Sequence, residues 1–101
     1  MDTHWGTMRR RYTRAAARAQ AMTALSTAGY EVWSDPAGDE YFVLGGNDQV
    51  NVTIVIVPEG EDECFLAVIA NSSNGTAESA RNRVRSLIPD LAAPAPMPHL
   101  P

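Results

Sequence analysis

The segment closest in composition to a binding loop is Asn71-Ser72-Ser73-Asn74-Gly75-Thr76. It lies between a strand-like run and a helix-like run. Its backbone N–H groups would therefore meet an anion at a helix N-terminus, with Ser72, Ser73 and Thr76 hydroxyls as added donors. It lacks the Gly-x-x-x-x-Gly-Lys-Ser/Thr spacing of a phosphate loop, and the chain contains no lysine. The same residue types serve as an ordinary loop and helix cap. Nucleophilic chemistry would have to use Cys64, the single cysteine. A nucleophile needs a base within hydrogen-bond reach, and the two histidines, His4 and His99, stand near the chain ends. Cys64 falls in a strand, on the side read as core, where a thiol acts as a small hydrophobe. One cysteine excludes an internal disulfide and a cysteine-based zinc cage. Twelve carboxylates are present, but no spacing singles out a catalytic pair or a calcium loop. The chain therefore reads as non-catalytic, without cofactor or metal.

Charge offers two further possibilities. Seven acids flank two turns: Asp35, Asp39 and Glu40 at one, and Glu59, Glu61, Asp62 and Glu63 at the other. Successive strands in a meander bring the first and third turns to the same end of the sheet, so these acids form an acidic edge suited to a basic client. All eight basic residues are arginines, at 9, 10, 11, 14, 18, 81, 83 and 85. If two helices carry them, both clusters lie back toward the acidic end and meet it. Arg11, Arg14 and Arg18 would form a stripe available to nucleic acid. Phosphate binding requires positive charge in excess of local acids, and the net charge of −4 argues against it.

The elements that would position these residues follow from periodicity. Residues 7–28 predict a helix capped by Thr7, with Met8, Tyr12, Ala15, Ala19 and Met22 on one face and Gly29 as its left-handed stop. Residues 1–6 read as an arm. Four strand-like runs follow: 30–34, 40–44, 50–57 and 64–70. The turns between them are short, which favours an antiparallel meander. A second helix over 76–88 ends at Pro89 and presents Ala77, Ala80, Val84, Leu87 and Ile88 on one side. The expected fold class is α+β: a two-layer sandwich of helix, four-stranded antiparallel meander and helix, spanning 1–90 as a single domain. The segment 91–101 is an extended Pro-rich tail.

Strands three and four are apolar on both sides, whereas a half-buried strand normally alternates. With both helices on one sheet face, the other face stays open. Its residues are Val55, Val57, Phe65 and Ile69, joined by Trp33, Tyr41 and Val43. An apolar patch of this kind marks an interaction site. The expected function is a protein-interaction module of adaptor, immunity, chaperone-like or assembly type. The cover of this patch is a second copy, as a homodimer, a different protein such as a basic client, or the chain's own Pro-rich tail. The alternatives are a small anion-binding protein using the 72–76 loop, and nucleic-acid binding through the arginines.

Length and composition agree with one small domain: 101 residues, 45% hydrophobic and 20% charged. No apolar run approaches the roughly 20 residues of a membrane helix. Arg14 and Arg18 interrupt the segment after the arginine run, which breaks a secretion-signal pattern, so the expected location is cytoplasmic. Fifteen alanines and no lysine suggest a high-GC bacterial or phage genome.

Overall fold

A computed structural model describes residues 1–90. The tail expected over 91–101 lies outside the described residues. The chain forms a small α+β domain with two helices and a five-stranded antiparallel sheet. In chain order the elements are β1 (Asp2–Arg10), α1 (Arg14–Thr27), β2 (Glu31–Val32), β3 (Phe42–Gly46), β4 (Val50–Pro58), β5 (Cys64–Ser72) and α2 (Ala77–Ser86). The strand order is β1-β5-β4-β3-β2.

The four expected strands are the meander β2 to β5, with the first shortened to Glu31–Val32 and the second shifted to Phe42–Gly46. The fifth, β1, corrects the expectation for residues 1–13. Asp2 to Arg10 form an edge strand paired with β5 from Asp2↔Ser72 to Arg10↔Cys64. The residues read as an arm and as the first turns of a helix are extended. The helix begins at Arg14, and its cap is Thr13, whose Oγ1 accepts the Ala16 N–H at 3.1 Å. Thr7 lies in mid-strand. Including 7–13 in the helix also set the wrong phase. The face of α1 that packs inward is Ala17, Arg18, Ala21, Ala24 and Leu25, while Ala15 and Ala19 are exposed. The far end of α1 does follow its sequence. Gly29 takes φ +94°, and the Tyr30 N–H reaches back to the Leu25 carbonyl while the Gly29 N–H reaches Ser26. This paired C-terminal bonding is what a left-handed glycine permits.

Strand alternation places the core. Met8, Val43, Val50, Val52, Ile54, Ile56, Cys64, Leu66, Val68 and Ala70 are buried and lie on one side by register. They join the inward residues of α1 and Ala77, Ala80 and Val84 of α2 in a single cluster. The expected inward face of α2 is observed, with Ile88 buried and Leu87 packed beside it. Gly45 is required where α1 crosses β3: a Cβ there would stand 2.7 Å from the Glu31 carbonyl and 3.0 Å from Leu25. Among the described residues no helix is long and apolar enough to cross a membrane.

Candidate functional site

The sheet side opposite the core carries four rows of residues, fixed by register. Thr3, Asn71, Asn51 and Gly46 form the first. Trp5, Ile69, Thr53 and Leu44 form the second, which Trp33 extends by donating its N–H to the Leu44 carbonyl at 2.9 Å. Thr7, Ala67, Val55 and Phe42 form the third, and Arg9, Phe65 and Val57 the fourth. The two middle rows carry no charge. Trp5 is 65% exposed, Trp33 48%, Val57 47% and Phe42 41%. Val55, Phe65 and Ile69 are half-buried by their neighbours.

This face differs from the expected set at two positions. Val43 is fully buried on the core side, because β3 alternates from Phe42. Tyr41 has the parity of Val43 and lies beneath Arg14, whose guanidinium carbon sits 4.8 Å from the ring centroid. In their place the face holds Phe42 and Leu44. Trp5 lies in the segment 1–6 expected as an arm; pairing of β1 with β5 places it in the second row. A period-two alternation of Thr3, Trp5, Thr7 and Arg9 was the available signal. The adjoining arginine run, which resembles a helix start, hid it.

The acidic end is engaged by the chain's own arginines. The loop between β2 and β3 and the loop between β4 and β5 share one end of the sheet, as expected of a meander. Arg18, buried to 4% exposure, is the centre of the first loop. It donates to the carbonyls of Glu40, Asp35 and Gly38 at 3.0, 3.1 and 2.7 Å, and to the Glu40 carboxylate at 2.8 Å. Arg14 donates to the Asp39 carbonyl. Asp35 accepts the Ala37 N–H within its own turn. At the second loop, Arg9 lies 3.1 Å from Glu59 and 3.5 Å from Glu63. Glu61 and Asp62 are exposed at the tip. The expected arginine stripe is therefore not presented as a surface: Arg18 is buried and Arg14 is turned to the 39–41 segment. Arg9 and Arg10 belong to β1.

The arginines of α2 do not meet the acids, contrary to expectation. Arg81 donates to the Trp5 carbonyl at 3.0 Å and Arg85 to the Thr7 carbonyl at 2.9 Å. Arg10 adds a third bond, to the Arg9 carbonyl at 2.7 Å. The bonds Ser73 N–H to Gln49 and Glu59 N–H to Glu63 make the odd pairs of β4–β5 the hydrogen-bonded ones. The even residues of β1 then bond to β5, and its odd carbonyls point to the open edge. Three successive edge carbonyls are thus each met by an arginine. Gly6 makes room for this, since a Cβ there would come within 3.0 Å of the Arg85 side chain.

Donors of the 72–76 loop are taken up by Ser72 and by Gln49. The Ser72 Oγ accepts the N–H groups of Asn74 and Thr76 at 3.0 and 3.1 Å. The Ser73 N–H goes to Gln49, and the Asn74 side-chain amide to the Gln49 side chain at 2.7 Å. Gly75 takes φ +78°, the turn that carries the chain into α2. The Ala77 N–H, in the first turn of α2, donates to the Asp2 carboxylate at 3.3 Å. A carboxylate from β1 thus already stands where an anion would bind.

Cys64 is fully buried and donates its S–H to the Tyr12 carbonyl at 3.3 Å. Burial pushes its thiol above the ordinary value; Arg14 nearby opposes that shift and Glu59 adds to it. Among the described residues no group of three or more His, Cys, Asp or Glu side chains is placed to hold a metal ion. Small side chains on α1 leave a cavity of about 500 Å³ beside the 32–38 segment, lined by Ala15, Ala19, Met22, Val32 and Pro36 with Arg18 at its side. The chain matches no protein-family model, no curated protein and no solved structure.

Proposed function

We propose that this chain is a non-catalytic protein-interaction module acting in the cytoplasm. In this reading it is a two-layer sandwich: both helices cover one sheet face, and the other face receives a protein. Adaptor, immunity or chaperone-like protein, and assembly subunit are the roles such a surface serves. The observation that carries the reading is the pair of uncharged middle rows, from Trp5 to Trp33 and from Thr7 to Phe42, with large apolar side chains open to solvent. Contiguous apolar area on a small protein is the usual mark of a docking site. Aromatic residues are enriched among those that carry binding free energy; here Trp5 and Trp33 stand at the two ends of the second row and Phe42 at the end of the third.

The acidic end is a secondary contact at most, because Glu40, Glu59 and Glu63 already have arginine neighbours. Steering of a basic client would fall to the exposed Asp35, Asp39, Glu61 and Asp62. Anion binding at 72–76 is the weaker reading, since the Asn74 and Thr76 N–H groups go to the Ser72 hydroxyl and the Ala77 N–H to the Asp2 carboxylate.

The test is site-specific photocrosslinking. A benzophenone side chain at Phe42 or Phe65 should give a protein adduct in cells, lost when Val55→Glu is added. The same probe at Arg83, on exposed α2, should give none. Equal labelling from face and control positions overturns the reading.

A further inference from the structure

We propose that the occupant of the outward sheet face is a second copy of this chain, packed face to face with the helices on the outside. This rests on the reading above that the face docks protein. Three observations select a second copy.

The first is area. Three strands are nine residues long, one is five and one is two. With strands about 4.8 Å apart and a rise of about 3.3 Å per residue, the face is about 550 Å² in projection. Two copies then remove about 1,100 Å², before the relief of the side chains is counted, which clears the about 1,000 Å² expected of a specific interface.

The second is self-complementarity. A two-fold contact presents the same patch from both sides, so any charge at its centre would face a like charge. The rows Trp5–Ile69–Thr53–Leu44–Trp33 and Thr7–Ala67–Val55–Phe42 contain none. Charge enters the four rows only at a corner, as Arg9, and Arg9 is occupied by Glu59 and Glu63.

The third is the state of the edges. Two copies of a small sheet protein can also join edge to edge, and an exposed nine-residue strand is the usual place for it. Here the β1 edge carbonyls of Trp5, Thr7 and Arg9 are bonded to Arg81, Arg85 and Arg10. The opposite edge, β2, is two residues long. Edge pairing is closed on one side and too short on the other, which leaves the face.

The unpaired acids favour one orientation. Each copy carries a formal charge of −4, and the exposed Asp35, Asp39, Glu61 and Asp62, at one end of its sheet, stand outside the ion pairs made by Arg9 and Arg18. A two-fold axis across the strands places the two acidic ends far apart; an axis along the strands would place them together. The first arrangement lays β4 and β5 of one copy over β4 and β5 of the other, running oppositely.

The experiment is light scattering of the purified full-length chain across a dilution series, with Val55→Glu, Ala67→Arg and Arg83→Glu. The expected result is a dimer for the wild type and Arg83→Glu, and a folded monomer for both face variants, with circular dichroism confirming the fold. Two face variants are used so that the misfolding of one leaves the other as the test. A wild-type dimer unaffected by a folded face variant overturns the proposal, and so does a wild-type monomer at about 100 µM, which would put the dissociation constant above the micromolar range. A benzophenone at Phe42 in the same sample distinguishes the two readings. An adduct of twice the chain mass supports self-association. An adduct with another protein in cells, with no self-adduct, overturns the second copy and leaves the docking face standing. No face-specific adduct in either setting overturns both.

Discussion

The two faces of the sheet have similar composition and opposite fates. Inward, Val52, Ile54, Ile56, Leu66 and Val68 are buried to 1% or less beneath the helices. Outward, Val55, Val57, Phe65, Ala67 and Ile69 come from the same two strands and alternate with them. The difference is that α1 and α2 add their small residues, Ala17, Ala21, Ala24, Ala77 and Ala80, to one side. Such residues let a helix axis approach a sheet closely, so that strand side chains are enclosed rather than merely covered. Apolar content makes a face able to be buried. Which face becomes the core is decided by where the helices return.

The sharpest way to break this comparison is truncation on each side. Ile54→Ala, beneath the helices, should cost about 2–5 kcal/mol of stability. Val57→Thr, on the outward face, should stay within about 0.5 kcal/mol in a dilute monomeric sample. Urea denaturation of both variants measures this, and equal losses would mean the outward face is also core. Smaller effects compare two arginines. Arg18→Met removes four bonds from a buried guanidinium and should cost about 2–3 kcal/mol, as expected for bonds to a charged donor. Arg9→Met breaks exposed ion pairs and should cost less than about 1 kcal/mol. Thermal melts at low and high salt separate the two, because only the Arg9 effect should vanish with screening.

The helix cap falls between these two arginines. Thr13→Ala should destabilise by about 1 kcal/mol, while Thr7→Ala leaves helix stability unchanged. Reversed outcomes would restore the helix start to residue 7. The smallest expected effect concerns Cys64. Burial raises its pKa in the folded chain, so the unfolded thiol ionises first as the pH rises. The contribution of Cys64 is therefore intact below the unfolded thiol's pKa of about 8.5, and falls away above it. Cys64→Ala should flatten the decline of melting temperature above that pH. The native thiol should also resist alkylation until the chain unfolds; rapid labelling would show that this part of the inward face opens.

How much of this was legible in the residues varies along the chain. The turn at 35–39, the β-branched run of β4 and the stop at Gly29 all work through neighbours within a few positions, as does the short turn after β3, which spans 47–49 because Gly45 and Gly46 pair with β4. Each was readable for that reason. The inward face of α2 was readable because its apolar residues recur at helical spacing without interruption. The first thirteen residues were not. Asp2, His4, Gly6, Met8 and Arg10 make an unremarkable inward face, and the arginines that follow favour a helix. What makes them a strand is β5, some sixty positions later, whose bonding groups await a partner. The candidate surface was half readable for the same cause. Val55, Val57, Phe65 and Ile69 follow from alternation within long strands. Phe42, Leu44 and Trp5 depended on register, which placed Val43 inward and moved Tyr41 under Arg14.

Local chemistry along the chain is enough to dictate the order of the helices and of the meander β2–β5. It also dictates the stop of α1, the double-sided apolar character of β4 and β5, and a net charge that disfavours phosphate. Tertiary structure was needed for the fifth strand, the phase of α1, the burial of Arg18 and the arginines across the β1 edge. The reason is physical. Turns, caps and alternation depend on groups a few bonds apart. Strand pairing and the satisfaction of a buried guanidinium depend on groups that meet only after the chain has closed on itself.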